Sequence, residues 1–216
     1  MSKSSVESLR IGPEKNFCYL IYCSVKNEAA LVDPAFEFDR VIEWVKTFKT
    51  GPQPPQIKYF VLTHGHWDHA GGVPEMLKRI PDARVIANEN ELARLKKAKI
   101  PLHKPLKNGE EFSVGDILVK SIHTPGHTKG GSCYIVGNQI LTGDTLFVGQ
   151  CGRTDFEGGS DEELYGSLQL LKTMPPEMIV RPGHDYGPTP QSTMASEIKN
   201  NPTMRAKSLK EFMELP

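Results

Sequence analysis

One short stretch constrains this chain more than any other: residues 64–69 read HGHWDH. It holds three of the chain's seven histidines and one aspartate, and it comes just after the strand-like run 57–62. Imidazole and carboxylate side chains clustered in a loop after a strand are typical of metal ligands. Six contiguous residues cannot surround an ion completely, so the chain must supply further ligands from elsewhere.

Three later positions offer such a ligand at a turn that follows a strand: His127, Asp144 and His184. Each comes directly after a glycine, which lets the backbone turn sharply. The candidate ligands are thus His64, His66, Asp68, His69, His127, Asp144 and His184. Seven ligands are too many for one ion, so we predict two ions that share a bridging carboxylate. His103 and His123 fall outside this pattern and are interpreted as surface or supporting histidines.

These ligands contain no thiolate, which makes a closed structural zinc site a poor interpretation. Neutral imidazoles and carboxylates suit zinc, iron or manganese. The pattern therefore predicts a catalytic metal centre.

The order of the predicted elements indicates mixed β-sheets. Strand-like and helix-like stretches alternate, yet tight turns join many of the strands, which argues against a purely parallel sheet. The predicted strands cover residues 17–25, 28–32, 57–62, 84–87, 112–114, 117–123, 133–136, 139–141 and 178–180. The predicted helices cover residues 39–49, the stretch around 74–80, 90–97 and 161–174, with two short helical stretches near the C-terminus. Ser160 and Glu163 form a capping box for the helix 161–174.

Length and composition narrow the class of protein. A chain of 216 residues suits a single domain, here residues 1–216 with a short helical tail from about residue 190. The formal net charge is zero, so nothing indicates a nucleic acid or another polyanion as partner. The polar first ten residues lack a secretory signal, and no apolar run reaches the roughly 20 residues of a membrane span. We therefore predict a soluble, cytoplasmic protein without membrane contact.

The four cysteines, Cys18, Cys23, Cys133 and Cys151, form no Cys-x-x-Cys pair. They are too few for a disulfide framework in a chain of this length. Cys18 and Cys23 lie five positions apart in one predicted strand, so we expect their side chains on opposite faces. Free, partly buried thiols are predicted.

The ligand pattern resembles the metallo-β-lactamase superfamily, which carries H-x-H-x-D-H, then a single histidine, an aspartate and a last histidine. The resemblance spans residues 17–184 and implies an α/β (α+β) fold. That fold is a four-layer αββα sandwich of two mixed β-sheets flanked by helices, with the metal ions at one edge of the sheets. The resemblance also implies the ligand sets: His64, His66 and His127 for the first ion, Asp68, His69 and His184 for the second, and Asp144 as the bridge.

Within that superfamily the chain is most similar to the glyoxalase II group, which hydrolyses hydroxyacylglutathione thioesters. The similarity lies in residues 124–128, 143–147, 151–153, 157–158 and 183–186, and in the tail at 192–194 and 201–205. It implies that Arg153 and Tyr186 contact the glutathione portion. Asp68 is also expected to hold the attacking water. A thiol leaving group with a pKa of about 8.5 needs little protonation, so no dedicated general acid is required.

Two departures from glyoxalase II leave a second function open. Residues 185–216 are too few for the helical segment and the terminal basic cluster that help to hold glutathione in that group. Residues 152–156, which read GRTDF, also resemble the persulfide dioxygenases, relatives that use one iron held by two histidines and one aspartate. In that alternative, His64 or a neighbouring histidine would bind iron together with His127 and Asp144, leaving positions open for oxygen.

The expected function is thioester hydrolysis with two divalent ions, most simply zinc, and with iron or manganese also suitable. The alternative is oxidation of glutathione persulfide to sulfite with one Fe(II). A binding module without metal is disfavoured because no ligand position is lost. Arg153 has an alternative of its own, a structural ion pair with Asp155 or with a carboxylate elsewhere in the chain.

Overall fold

A computed structural model describes residues 4–49 and 51–215, which contain two six-stranded β-sheets. The strands of the first sheet are β1 (Ser4–Ile11), β2 (Asn16–Cys23), β3 (Glu28–Val32), β4 (Gln56–Val61), β5 (Arg84–Asn88) and β6 (Lys104–Leu106). They lie side by side in chain order. The two pairs from β1 to β3 are antiparallel and the three pairs from β3 to β6 are parallel, so this sheet is mixed, as predicted.

The strands of the second sheet are β7 (Glu111–Val114), β8 (Ile117–His123), β9 (Ser132–Val136), β10 (Gln139–Gly143), β11 (Ile179–Pro182) and β12 (Ser192–Thr193). They also lie side by side in chain order. The β10 and β11 pair is parallel and the other four pairs are antiparallel. The second sheet is therefore mixed as well.

Eight helices flank the two sheets in the described part of the chain. They are α1 (Phe38–Lys46), α2 (Trp67–Ala70), α3 (Val73–Arg79), α4 (Leu92–Lys97), α5 (Asp161–Leu171), α6 (Met194–Asn200), α7 (Pro202–Arg205) and α8 (Leu209–Met213). No helix in these described residues is both long and apolar enough to cross a lipid bilayer.

The core has three buried layers. The first lies between the outer face of the first sheet and α1, α3 and α4, the second between the two sheets, and the third between the second sheet and the helices α5 to α8. Side chains alternate along each strand, so Leu20 packs in the first layer and Ile21 in the second. Both are fully buried, and each such burial contributes roughly 1.5–3 kcal/mol relative to exposure. The four-layer αββα sandwich implied by the resemblance is confirmed.

Local predictions also hold in several places. The Ser160 hydroxyl accepts a hydrogen bond from the Glu163 amide at 3.2 Å and caps α5. Cys18 packs in the outer layer and Cys23 between the sheets, on opposite faces of β2. All four cysteines are free thiols.

Some elements differ from the expectation for identifiable reasons. The sequence does not predict β1. This edge strand pairs with β2 through its backbone, and the exposed side chains of Glu7, Ser8 and Arg10 hide the apolar alternation of a strand. The predicted helices 39–49 and 161–174 are too long. α1 ends at Lys46 and α5 at Leu171, since the apolar residues beyond those ends reach the core from turns rather than from helix.

The tail beyond residue 190 is also not purely helical. It contains β12, so the predicted last strand 178–180 is not the last, and it ends in three short helices rather than two. β6 is likewise absent from the prediction, because three residues are too few to show a period.

The fold positions the site by bringing the ends of four strands to one place. Residues 64–69 follow β4, His127 follows β8, Asp144 follows β10 and His184 follows β11. β10 and β11 form the parallel pair of the second sheet, and β4 lies in the parallel region of the first sheet. Candidate ligands distant in the sequence therefore converge at one edge of the two sheets, where these strands end.

Candidate metal centre

The seven predicted ligands lie together at this edge. Their ligand atoms form three groups whose members are within 4.8 Å of one another: His64, His66 and His127; His64, His69 and Asp144; Asp68, His69 and His184. The first and third groups are the two ligand sets that the resemblance implies, and the second group joins one histidine of each set with Asp144.

Three imidazoles form the first set. His66 Nδ1 lies 3.1 Å from His64 Nε2 and 2.9 Å from His127 Nε2. Three ring nitrogens this close to one another repel through their lone pairs unless a proton or a cation lies among them. The arrangement therefore offers three nitrogen ligands to one cation.

Two imidazoles and a carboxylate form the second set. His69 Nε2 lies 3.2 Å from His184 Nε2. Asp68 Oδ2 lies 3.6 Å from the first of these nitrogens and 3.4 Å from the second. This set provides nitrogen and oxygen ligands to a second cation.

Asp144 lies between the two sets. Its Oδ2 is 3.5 Å from His127 Nε2 and 3.4 Å from His184 Nε2, and its Oδ1 is 3.2 Å from His69 Nε2. That Oδ1 is buried and has no hydrogen-bond donor among the described residues. A buried carboxylate oxygen without a donor is costly, and a bridging cation would satisfy it.

The remaining ring nitrogens of four histidines point away from this centre and are hydrogen-bonded. Nδ1–H of His127 donates to the Arg153 carbonyl at 2.6 Å, and Nδ1–H of His184 donates to the Glu14 carbonyl at 2.8 Å. His69 donates from Nδ1 to a carboxylate at 2.9 Å, and His64 from Nδ1 to a hydroxyl at 3.1 Å. Each Nε2 therefore keeps its lone pair for a metal, the usual support of metal-binding histidines.

Asp33 supplies the carboxylate for this support and was missed by the sequence analysis. It is buried, and its Oδ2 accepts from His69 Nδ1 and, at 2.6 Å, from the Thr63 hydroxyl. That hydroxyl in turn accepts from His64 Nδ1. One carboxylate thus fixes the ring orientation of a histidine in each set.

Asn16 is a second missed residue. It is fully buried at the start of β2, and its Nδ2 donates to the Asp68 carbonyl at 2.9 Å and to Asp68 Oδ2 at 3.2 Å. Its backbone pairs with His184 in an isolated antiparallel bridge. Asn16 therefore positions the carboxylate of Asp68 relative to the second set.

Glu91 holds two loops of the site together. Its buried carboxylate accepts from the Gly65 amide at 3.0 Å, from the Thr128 hydroxyl at 2.5 Å and from the Gly130 amide at 3.2 Å. It thereby connects the loop of His64 and His66 with the loop of His127. No sequence pattern marks Asn16, Asp33 or Glu91, although Asp33 follows a strand as the predicted ligands do.

The pKa values of the histidines shift in opposite directions. Burial and the neighbouring imidazoles lower the pKa of His64 well below its usual value and that of His66 to about 4. Burial opposes a charge on His69 too, but the carboxylates of Asp144 and Asp33 raise its pKa well above the usual value. The carboxylates of Asp144 and Asp33 therefore favour a positive charge at the place where a cation would bind.

The residues present thus fit divalent metal ions. The imidazole and carboxylate ligands, the unsatisfied Oδ1 of Asp144 and the outward hydrogen bonds of the rings are independent indications. Gly143 and Gly152 are required beside the centre, since a Cβ would collide with Thr63 at the first and with the backbone of Asp144 at the second.

A cleft of about 620 Å³ opens onto the centre. Aromatic rings form much of its wall: Trp67, Phe147, Phe156 and Tyr186. Tyr186 stacks on the His184 ring with centroids 4.6 Å apart. This volume is within the range of small-molecule sites.

The two predicted substrate contacts both line this cleft. Arg153 also makes the alternative ion pair: its Nε and Nη2 both bond to the carboxylate of Asp155, and its guanidinium lies over Phe156. His103 and His123 lie outside the centre, as predicted. His103 Nδ1 accepts from the Val85 amide, and His123 Nε2 donates to the Lys129 carbonyl.

Comparison with known proteins gives the same architecture. The profile of the metallo-beta-lactamase superfamily matches residues 11–184. The chain is similar to a probable polyketide biosynthesis zinc-dependent hydrolase, BaeB, of Bacillus velezensis, with 35% identity over 86% of this chain and 80% of the relative. It is also similar to the probable hydroxyacylglutathione hydrolase glo2 of Schizosaccharomyces pombe, with 36% identity over 81% of this chain and 66% of the relative.

Among solved structures, ETHE1 from Myxococcus xanthus superposes with a TM-score of 0.85 and 30% identity, covering 98% of this chain and 92% of that one. The resemblance to the glyoxalase II group and its close relatives is thereby confirmed. The chain spans just under two thirds of the length of glo2.

Proposed function

Because the chain belongs to the metallo-beta-lactamase superfamily, we propose that it is a metal-dependent hydrolase that cleaves thioesters at the centre described above. The proposed ligands are His64, His66 and His127 for one ion and Asp68, His69 and His184 for the other, with Asp144 bridging. Zinc is the proposed metal, supported by the ligand types and by the similarity to a zinc-dependent hydrolase.

The second ligand set is the observation that carries this proposal. A one-ion reaction needs only two histidines and a carboxylate. Here a further set is complete, and its members are held by Asp33, Asn16 and the Glu14 carbonyl. A second ligand set whose members are each held by a hydrogen bond favours a two-ion centre.

Two divalent ions bound here would polarise the thioester carbonyl and provide hydroxide near neutral pH. The protein's own part is to orient the reactants. Asp68, fixed by Asn16, is placed to accept a hydrogen bond from the attacking water. Tyr186 and Arg153 line the cleft where the thiol portion would lie, and the departing thiol needs no acid from the protein.

Oxidation of a persulfide by oxygen, with one bound iron, is the second candidate. The overlap with ETHE1 and the GRTDF sequence at 152–156 favour it. In that case two histidines with Asp144 would hold the iron, and the remaining set would be a structural remnant.

Two assays on one preparation test the proposal. The protein is loaded with zinc or with Fe(II) under nitrogen, then given lactoylglutathione or acetyl-N-acetylcysteamine, and separately glutathione persulfide with oxygen. Thioester hydrolysis by the zinc form supports the proposal. Oxygen uptake with sulfite release by the iron form, without thioester hydrolysis by either form, contradicts it.

Arg153→Ala tests the substrate contact. Removing Arg153 should raise KM for the glutathione thioester while leaving kcat and metal content unchanged. Asp155→Asn is the matched control, because it breaks the same ion pair but keeps the cation. If both variants behave alike, the pair is structural and Arg153 does not contact the substrate.

We further propose a reducing, cytoplasmic location and a small-molecule substrate rather than a nucleic acid or membrane. The four free cysteines support the reducing location, and the neutral net charge supports a substrate other than a nucleic acid.

A further inference from the structure

A second cavity lies on the other side of the loop that carries Arg153. Its volume is also about 620 Å³, as large as the cleft over the metal centre. The loop 149–155 forms one wall, and Pro202, Thr203 and α8 with Leu215 form the opposite wall. Thioester hydrolysis as described above makes no use of it.

The two cavities meet at a ridge. Gln150, Cys151 and Arg153 line both of them, and the side chains of Gln150 and Arg153 are exposed. Between these residues, Gly152 packs so closely on the Asp144 backbone that no side chain fits. The second cavity therefore begins one residue away from the metal centre, and a ligand lying over the ridge would reach both.

The second cavity is apolar on the side of α8. Phe212, Met213 and Leu215 line it, and Met213 remains 59% exposed. A methionine side chain adapts to ligands of differing shape. An aliphatic chain placed here would cover apolar surface that is otherwise in water.

The charges of the lining disfavour an anionic occupant. Arg153 is the one cation among its described lining residues, and it is paired with Asp155. Asp161 lies nearby and accepts from the Thr154 hydroxyl. The lining is thus acidic on balance, which disfavours phosphates and the carboxylates of glutathione.

We propose that this cavity is a subsite for a long, uncharged acyl chain, which crosses the ridge at Gln150 and Cys151 while the thioester carbonyl lies at the metal centre and the thiol portion lies toward Tyr186. The inference rests on the proposed function. It narrows the substrate class to aliphatic acyl thioesters and makes Met213 a specificity-determining residue.

A chain-length series tests the subsite. Acetyl, butyryl and octanoyl thioesters of N-acetylcysteamine share one thiol, so only the acyl chain varies. We expect kcat/KM to rise at least ~10-fold from butyryl to octanoyl in the metal-loaded protein. Met213→Glu should remove most of that rise and leave acetyl hydrolysis unchanged, because it places a charge on the apolar wall.

Leu118→Glu is the matched control. Leu118 is a similarly exposed apolar residue, at 54%, on β8 and outside the cavity, so this variant should keep the full rise. A flat chain-length profile, or the same rise in Met213→Glu as in the control, overturns the subsite while the proposed hydrolase stands. If none of the thioesters is hydrolysed, the proposed function and the subsite both fail.

Discussion

Asp144 touches His69 through one carboxylate oxygen, with Oδ1 and Nε2 3.2 Å apart, while its other oxygen faces the histidines His127 and His184. Oδ1 is buried and accepts no hydrogen bond from the described residues. A single carboxylate thus faces both ligand sets. Loss of this side chain would disrupt both proposed metal positions.

Asp144→Ala is expected to abolish activity under both candidate functions, because each requires this ligand. The loss should be at least ~10³-fold in kcat, the scale of removing a principal electrostatic group. Metal analysis should also show less than the full complement of ions. Asp116→Ala, a change in the turn between β7 and β8, should leave turnover intact. Retained turnover in Asp144→Ala would contradict the site as drawn.

Asp33→Asn should weaken both metal positions without replacing a proposed ligand. The amide has one acceptor oxygen where the carboxylate has two, so it cannot accept from the Thr63 backbone amide as well as from His69 and the Thr63 hydroxyl. The rings of His69 and His64 then lose their fixed orientation. We expect zinc affinity to fall by ~10–100-fold and the free energy of unfolding by ~1–3 kcal/mol. Competition with a chelator measures the first quantity and urea titration the second. The exposed Asp39→Asn serves as control, and equal zinc affinity in both variants would refute the role of Asp33.

Asn16→Ala should act on kcat. Removing the amide frees the Asp68 carboxylate, so the attacking water is held less well while the substrate cleft is unchanged. We expect a ~10-fold lower kcat, with KM unchanged. A measurement of both constants at full zinc loading separates this from metal loss. An equal effect on kcat and KM would instead indicate a general structural role.

The four thiols should react slowly in the native protein. Burial raises the pKa of Cys133 and of Cys151 to about 11, and that of Cys18 still further, while Cys23 is inaccessible. Since the thiolate is the nucleophile, little reaction with a disulfide reagent is expected at neutral pH. Denaturant should expose all four. Rapid labelling of the native protein would show that the burial is wrong.

The convergence of the candidate ligands could be predicted from the sequence because each has a local signal. His127, Asp144 and His184 each follow a strand and a glycine, and strands of a layered sandwich end together at one edge. The same logic gave the β2 and β3 hairpin and the cap at Ser160, since both depend on residues near one another in the chain.

The supporting residues could not be predicted because their partners are distant. Asn16 reaches Asp68 across 52 positions, and Glu91 reaches Thr128 across 37. Neither carries a local pattern, and only the closed sandwich brings them to the loops. The edge strand β1 was not predicted for a related reason. Its pairing with β2 is made by the backbone, and the pattern of its side chains does not indicate it.

Metal stoichiometry tests the central claim most directly. The purified protein is stripped with a chelator, reloaded with zinc, and the bound ions are counted per chain by elemental analysis alongside anomalous diffraction. We predict two ions, one beside His64, His66 and His127 and one beside Asp68, His69 and His184, with Asp144 in contact with both. A single ion per chain at saturating zinc, with the second ligand set empty, would contradict the two-ion centre.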